Sequence, residues 1–195
     1  MKKLGTLLLW LVLEAVGLAA EQYTLDAAHS QMSFRVRQYL SVVTGKFTDF
    51  SGMVTFDSAQ PERSHVEATI LVKSIDTGIA ERDHHLLAAD FFDAEKYPTM
   101  GFKSNSVKLI GERSADVSGE LTMHGKTRPV VIHVELPSPT KTGGDTLSWR
   151  VTAHLRRSEF GLKWNPVIEA ASGISDDIDI QMRMVTPEHG SDRSN

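Results

Sequence analysis

The recurring pattern along this chain is alternation. In SQMSFRV, Met32, Phe34 and Val36 fall on one face and Ser33, Arg35 and Arg37 on the other, because successive side chains of a strand point oppositely. The same period groups Phe50, Val54 and Phe56, then Val66, Ala68, Ile70 and Val72, then Met100 and Phe102. It resumes through Val117, Leu121 and Met123, through Val130, Ile132 and Val134, through Leu147, Val151, Ala153 and Leu155, and through Ile178, Ile180, Met182 and Met184. Eight strands are countable, set apart by Gly, Asp, Ser and Pro, which predicts an all-β fold.

Between Asp76 and Tyr97 the spacing changes. Ile79, Leu86, Leu87 and Phe91 recur at helical intervals, with Asp76 or Thr77 available as a cap, so a helical insertion is expected between strands. In MHGKTRPV, Gly125 can take positive φ and Pro129 stands where the next strand begins, which predicts a hairpin. Eight antiparallel strands favour closure into a barrel, since closure removes unpaired edges, and a barrel of this size is either filled by its side chains or holds one small ligand. The inward set mixes small Ala68, Gly119 and Ala153 with flexible Met32, Met100, Met123, Met182 and Met184, which suits an adaptable apolar pocket and equally an ordinary core.

Composition narrows the rest. Residues 1–20 place Lys2 and Lys3 ahead of the apolar run Leu4–Leu13 and end in small residues, the pattern of a cleaved signal peptide and too short an apolar run to span a bilayer. Residues 21–186 then make one barrel domain, and the polar residues 187–195 are expected to be a disordered tail. The net charge is −4, and removal of two lysines and one glutamate with the leader takes it to about −5, with no basic stretch for a phosphate backbone; nucleic acid is not an expected partner. The chain has no cysteine, which excludes disulfides and thiolate metal sites. Neither a His-Glu-x-x-His run nor a Gly-x-Ser-x-Gly elbow occurs, and the adjacent His84 and His85 would point about 100° apart on a helix, so no metal, cofactor or catalysis is expected.

Four stretches together carry a resemblance: LDAAHSQMSFRVRQYLSVVTGKFTDFSG, RDHHLLAADFFDAEKYPTMGFKS, GELTMHGKTRPV and RRSEFGLKWN. They run in order over nearly the whole chain from Tyr23 to Met184, and in combination they resemble the YceI-like family of lipocalin-fold, polyisoprenoid-binding periplasmic proteins. One position departs, Gln38, where such proteins often carry a histidine. The resemblance implies a lipocalin-like eight-stranded antiparallel barrel in the periplasm, binding an isoprenoid or similar amphiphile, whether polyisoprenoid, quinone or fatty-acid derivative, without metal or catalysis. The alternative is an interaction or stress-response module with a filled barrel.

Phe34, Val36, Phe56, Ile70, Phe102, Leu121, Ile132, Val151 and Ile180 are expected to line the channel; Phe91 and Phe92 suit plugging the mouth or touching a ligand tail, and equally plain core packing. Polar candidates have plainer readings beside the functional one. His29 and Ser30 could hold a head group or tie a strand to a loop, Arg82, Asp83 and His84 could face solvent or cap backbone groups, and Arg156 and Arg157 could meet a head group or an ion-pair partner. A homodimer would lengthen or cap an apolar channel.

Overall fold

The computed structural model describes residues 20–186 apart from 26, 58, 136–146 and 164–165. The signal peptide expected from the sequence, up to residue 19, and the polar tail therefore lie outside the described residues, as does Trp164 of the last motif.

All eight strands read from the alternation are present. They are β2 (Gln31–Gln38), β4 (Phe50–Phe56), β5 (His65–Leu71), β7 (Thr99–Gly111), β8 (Ser114–Met123), β9 (Lys126–Glu135), β10 (Leu147–Arg156) and β11 (Ile174–Thr186). Three more join them: β1 (Glu21–Thr24), β3 (Ser41–Phe47) and the two-residue β6 (Ile75–Asp76). Strand β3 escapes a period-two reading because its core face is Val43, Gly45 and Phe47, with a glycine at the centre and Val42 apolar on the outer face.

The eleven strands form one antiparallel sheet in the order β1-β4-β5-β7-β8-β9-β10-β11-β2-β3-β6, curled into a lipocalin-like half-barrel. Among the described residues no ladder joins β1 to β6. The seam lies between β3 and β4, neighbours in sequence but not in the ladder, and the backbone bonds from Thr48 N to Ser74 O (3.0 Å) and from Leu71 N to Asp49 O (3.0 Å) extend the β3–β6 and β4–β5 ladders on its two sides. The outermost strands are four and two residues long, which leaves little unpaired edge.

Local chemistry sets the turns. His124 and Gly125 link β8 to β9 with φ of 51° and 69°, the left-handed pair a two-residue hairpin needs, and Met123 pairs with Lys126 across it. Pro129 lies four residues into β9 rather than at its start, opposite Glu120. It is tolerated because β10 pairs only with Ile132 to Glu135 of β9, which leaves the outer edge at Pro129 without a β10 partner that its missing N–H would deprive.

The expected helical insertion is α1 (Ala80–Leu87), between β6 and β7. Neither Asp76 nor Thr77 caps it; Ile79 takes the N-cap position without a side-chain bond. Asp76 instead accepts from Gly78 N (2.8 Å), and Asp83 accepts from Thr77 N (3.0 Å) and from the Thr77 hydroxyl. The competing local bonds of short polar side chains have drawn both residues into the approach loop. A second short helix, α2 (Pro166–Ser172), has no counterpart in the sequence reading.

Candidate functional site

The half-barrel is not filled by its own side chains. It encloses a cavity of about 760 Å³, within the usual range for small-molecule pockets. Every strand from β2 to β11 contributes to its wall.

Each residue expected to line a channel does line this cavity. Phe34 and Val36 come from β2, Phe56 from β4, Ile70 from β5 and Phe102 from β7; Leu121, Ile132, Val151 and Ile180 come from β8 to β11, and Phe91 from the segment after α1. The registers explain the convergence. Ile180 faces Phe34 and Ala153, Met182 faces Met32 and Val151, and Phe102 faces Leu121. The two-residue period then puts each of these side chains on the concave side.

Aromatic rings pack against one another at two places on the wall. Trp149 of β10 meets Phe56 edge to face with centroids 5.2 Å apart, and the Trp149 Nε1–H finds no hydrogen-bond partner among the described residues. Trp149 shares the face of Val151 and Ala153, so the alternation that found those residues reaches it too. A second aromatic run, Phe34 to Phe47 (5.7 Å), Phe47 to Phe92 (6.5 Å) and Phe92 to Phe91 (5.3 Å), links β2 and β3 to the α1 segment. Phe34 fits because its partner across the ladder is Gly45, where an added Cβ would stand 2.3 Å from the ring carbon Cζ.

One part of the lining forms a mouth. There the wall includes the exposed Ile79, Glu81, His85 and Asp90, with Gln38 and Ser172 nearby in the lining, so the apolar interior reaches the surface beside α1. These polar residues come from three separate segments, so no single motif brings them together. Gln38 donates from Nε2 to Ser172 O (3.2 Å), which ties β2 to the end of α2.

The polar candidates resolve individually. Ser30 donates to Val185 O (3.3 Å) and accepts from Val185 N (2.8 Å), a strand tie; His29 is exposed. Arg82 donates to Thr77 Oγ1 (2.8 Å) and Thr77 O (2.9 Å), bracing the loop before α1, and His84 is exposed. Arg156 pairs with Asp176 (3.2 Å) and, at 3.8 Å, with Glu159. Arg157 is buried on the cavity wall and donates to the carbonyls of Leu162 (2.8 Å), Ser175 (3.0 Å) and Ile174 (3.2 Å), locking a 3-10 turn (Arg157–Phe160) against the start of β11. Partial burial raises the Asp176 carboxyl, but bonds from the Ser158 hydroxyl and amide and the charges of Arg156 and Arg157 outweigh it and hold Asp176 below its ordinary value.

Two histidines lie on the outer face of the wall. His133 Nδ1 is 3.1 Å from Asp116, and His154 lies between Asp179 (3.1 Å from Nδ1) and Asp177 (3.2 Å from Nε2). The bond to Asp179 raises His154 above its ordinary value, with the Asp177 bond adding to it against partial desolvation. Among the described residues no group of three or more His, Cys, Asp or Glu is arranged to hold a metal ion.

The family model described as a YceI-like domain matches residues 23–186. A UPF0312 protein of Pseudomonas putida (strain GB-1) is 38% identical over 149 residues, covering 74% of this chain and 78% of the relative. A UPF0312 protein of Pseudomonas savastanoi pv. phaseolicola is 37% identical over 168 residues, covering 83% and 88%. Among solved structures, Burkholderia cenocepacia BcnA superposes with a TM-score of 0.74 at 28% identity, over 83% of this chain and 98% of that one. A polyisoprenoid binding domain from Saccharophagus degradans, implicated in plant cell wall breakdown, shares the fold at a TM-score of 0.65 and 18% identity, over 86% and 98%.

Proposed function

Since the chain belongs to the YceI-like family, we propose that it binds an isoprenoid or similar amphiphilic lipid inside its half-barrel and carries or stores it in the periplasm, without catalysis. The observation that carries this reading is the cavity of about 760 Å³, walled by apolar side chains and open beside α1. Each methylene buried there contributes about 0.8 kcal/mol, so a prenyl or alkyl chain needs few polar contacts to bind. The polyisoprenoid-binding description of the Saccharophagus degradans fold neighbour supports the same cargo class. A polyisoprenoid, a quinone and a fatty-acid derivative all meet the demand for a long apolar tail, and the mixed polar groups at the mouth can accept any of their head groups. The apolar leader at residues 1–20 supports the periplasmic placement.

The test is native mass spectrometry of the mature protein purified from its own compartment, followed by lipid extraction. A stoichiometric isoprenoid, quinone or fatty amphiphile is the expected result. A mass that stays at the apo value after incubation with such lipids would overturn the reading.

A further inference from the structure

The large apolar side chains left in water are not spread evenly. Eight stand out as exposed among the described residues, and five of them belong to elements that reach the mouth: Ile79 is in its lining, Tyr39, Leu40 and Val42 follow the lining residue Gln38, and Val167 is on α2, whose Ser172 is in the lining. Tyr39 and Leu40 are the two-residue tip of the β2–β3 hairpin, with Gln38 paired to Ser41 behind them, and Leu40 is completely exposed. Val42 follows on the outer face of β3. The β3–β6 register sets Phe47 against Ile75 and Lys46 against Asp76; continued in the same sense, it brings Ile79 level with Val43, and both line the cavity.

The rim is braced rather than collapsed. Tyr39 holds a φ of 50°, which a side chain rarely adopts, its amide donates to Gly173 O (2.9 Å), and its hydroxyl donates to Ala171 O in the last turn of α2. These bonds fix the hairpin tip beside the helix that carries Val167 and keep Leu40 and Val42 pointing outward.

We infer that this rim is the surface by which the protein docks on a lipid bilayer, with the mouth facing the membrane. The inference rests on the cargo reading above. A long apolar chain loses about fourfold in partition for every methylene placed in water, so cargo cannot leave the cavity by crossing solvent. The mouth must meet the bilayer, and the apolar side chains around it are placed to insert at the acyl boundary. The rim sets Arg37, opposite Val42, and Arg82 against Glu81 and Asp90, so charge favours neither sign of lipid and attachment comes from apolar insertion. A second copy seated here would cap the mouth instead of serving it.

The test uses flotation of the mature full-length protein with neutral phosphatidylcholine vesicles, beside the double variant Leu40→Asp, Val42→Asp, whose changes lie outside the cavity wall. The wild type is expected to float. The variant should float at least about tenfold less, since two apolar insertions are lost, while still taking cargo from detergent micelles, which also shows that it folds. A wild type that stays with the soluble fraction, or a variant that floats equally well, overturns the proposal. A dimer in sedimentation that the double variant dissociates, without flotation, assigns the rim to a second copy and overturns it too. Flotation of a wild type that takes no cargo would support the docking surface and sink the cargo reading.

Discussion

Gly45 tests how the cavity wall was built. Its substitution by alanine puts a Cβ 2.3 Å from Phe34 Cζ and 2.8–2.9 Å from the neighbouring ring carbons, distances no pair of carbons tolerates. The nearest atoms all belong to one ring, so Phe34 must swing away, and the open direction is the cavity. Overpacking of this kind costs about 1–3 kcal/mol, which in a chain of 150–250 residues lowers Tm by roughly 2–12 °C. The displaced ring should also narrow the channel and weaken cargo binding. A double-mutant cycle with Phe34→Ala isolates the cause: with the ring gone, Gly45→Ala should be neutral, or stabilising by about 0.5–1 kcal/mol because a strand glycine is entropically unfavourable. Thermal and denaturant unfolding of the four proteins measures this. An equal penalty for Gly45→Ala with and without the Phe34 ring would refute the account.

Other perturbations address separate parts of the molecule. Val151→Asp places a carboxylate on the buried apolar wall beside Met182, and lipid uptake at neutral pH should fall; unchanged uptake by the folded variant would remove Val151 from the channel. Arg157→Lys keeps the charge but loses the planar fork that reaches three carbonyls, so stability should drop by about 1–3 kcal/mol in urea unfolding, and an unaltered midpoint would count against that lock. His154 should titrate above its ordinary value of 6.5 in an NMR pH series, because its two aspartates favour the charged ring. Its small contribution to stability is therefore complete below that ordinary value and is lost as pH rises through the raised one, and Asp179→Asn should return the titration toward the ordinary value.

Much of the wall could be read from the chain because each strand buries one face, and a one-residue slip would have reversed every inward residue. Phe34, Ile132 and Ile180 fall on the cavity side for that reason alone. Strand β3 was hidden because Gly45 leaves a gap in its apolar face, and that gap exists to admit the ring of Phe34, a long-range fact no local pattern carries. Helix α2 was hidden for a related reason: at seven residues it is held by bonds from Gln38 and Tyr39, far away in sequence. The mouth was least legible. Gln38, Glu81, His85, Asp90 and Ser172 come to it from three separate segments, through topology that no local pattern carries.

The size of the cavity has its own thermodynamic consequence. At about 24 cal/mol per Å³ of unfilled core, 760 Å³ of true vacuum would cost on the order of 18 kcal/mol, more than a whole domain's typical stability. A folded chain cannot carry that penalty, so the unloaded cavity must admit water through the mouth or contract, and cargo relieves whichever cost is incurred. A cargo held at a hundred times its Kd stabilises the native state by about 2.7 kcal/mol, which corresponds to a Tm rise of roughly 5–11 °C for a chain of this length. Calorimetry on protein stripped of lipid and then reloaded should show that rise, together with slower amide exchange on β2 and β11, whose inward residues Phe34 and Ile180 face each other across the cavity wall. Stripped and loaded protein melting at the same temperature would mean that the lipid does not occupy the interior, and the wall would then need another explanation.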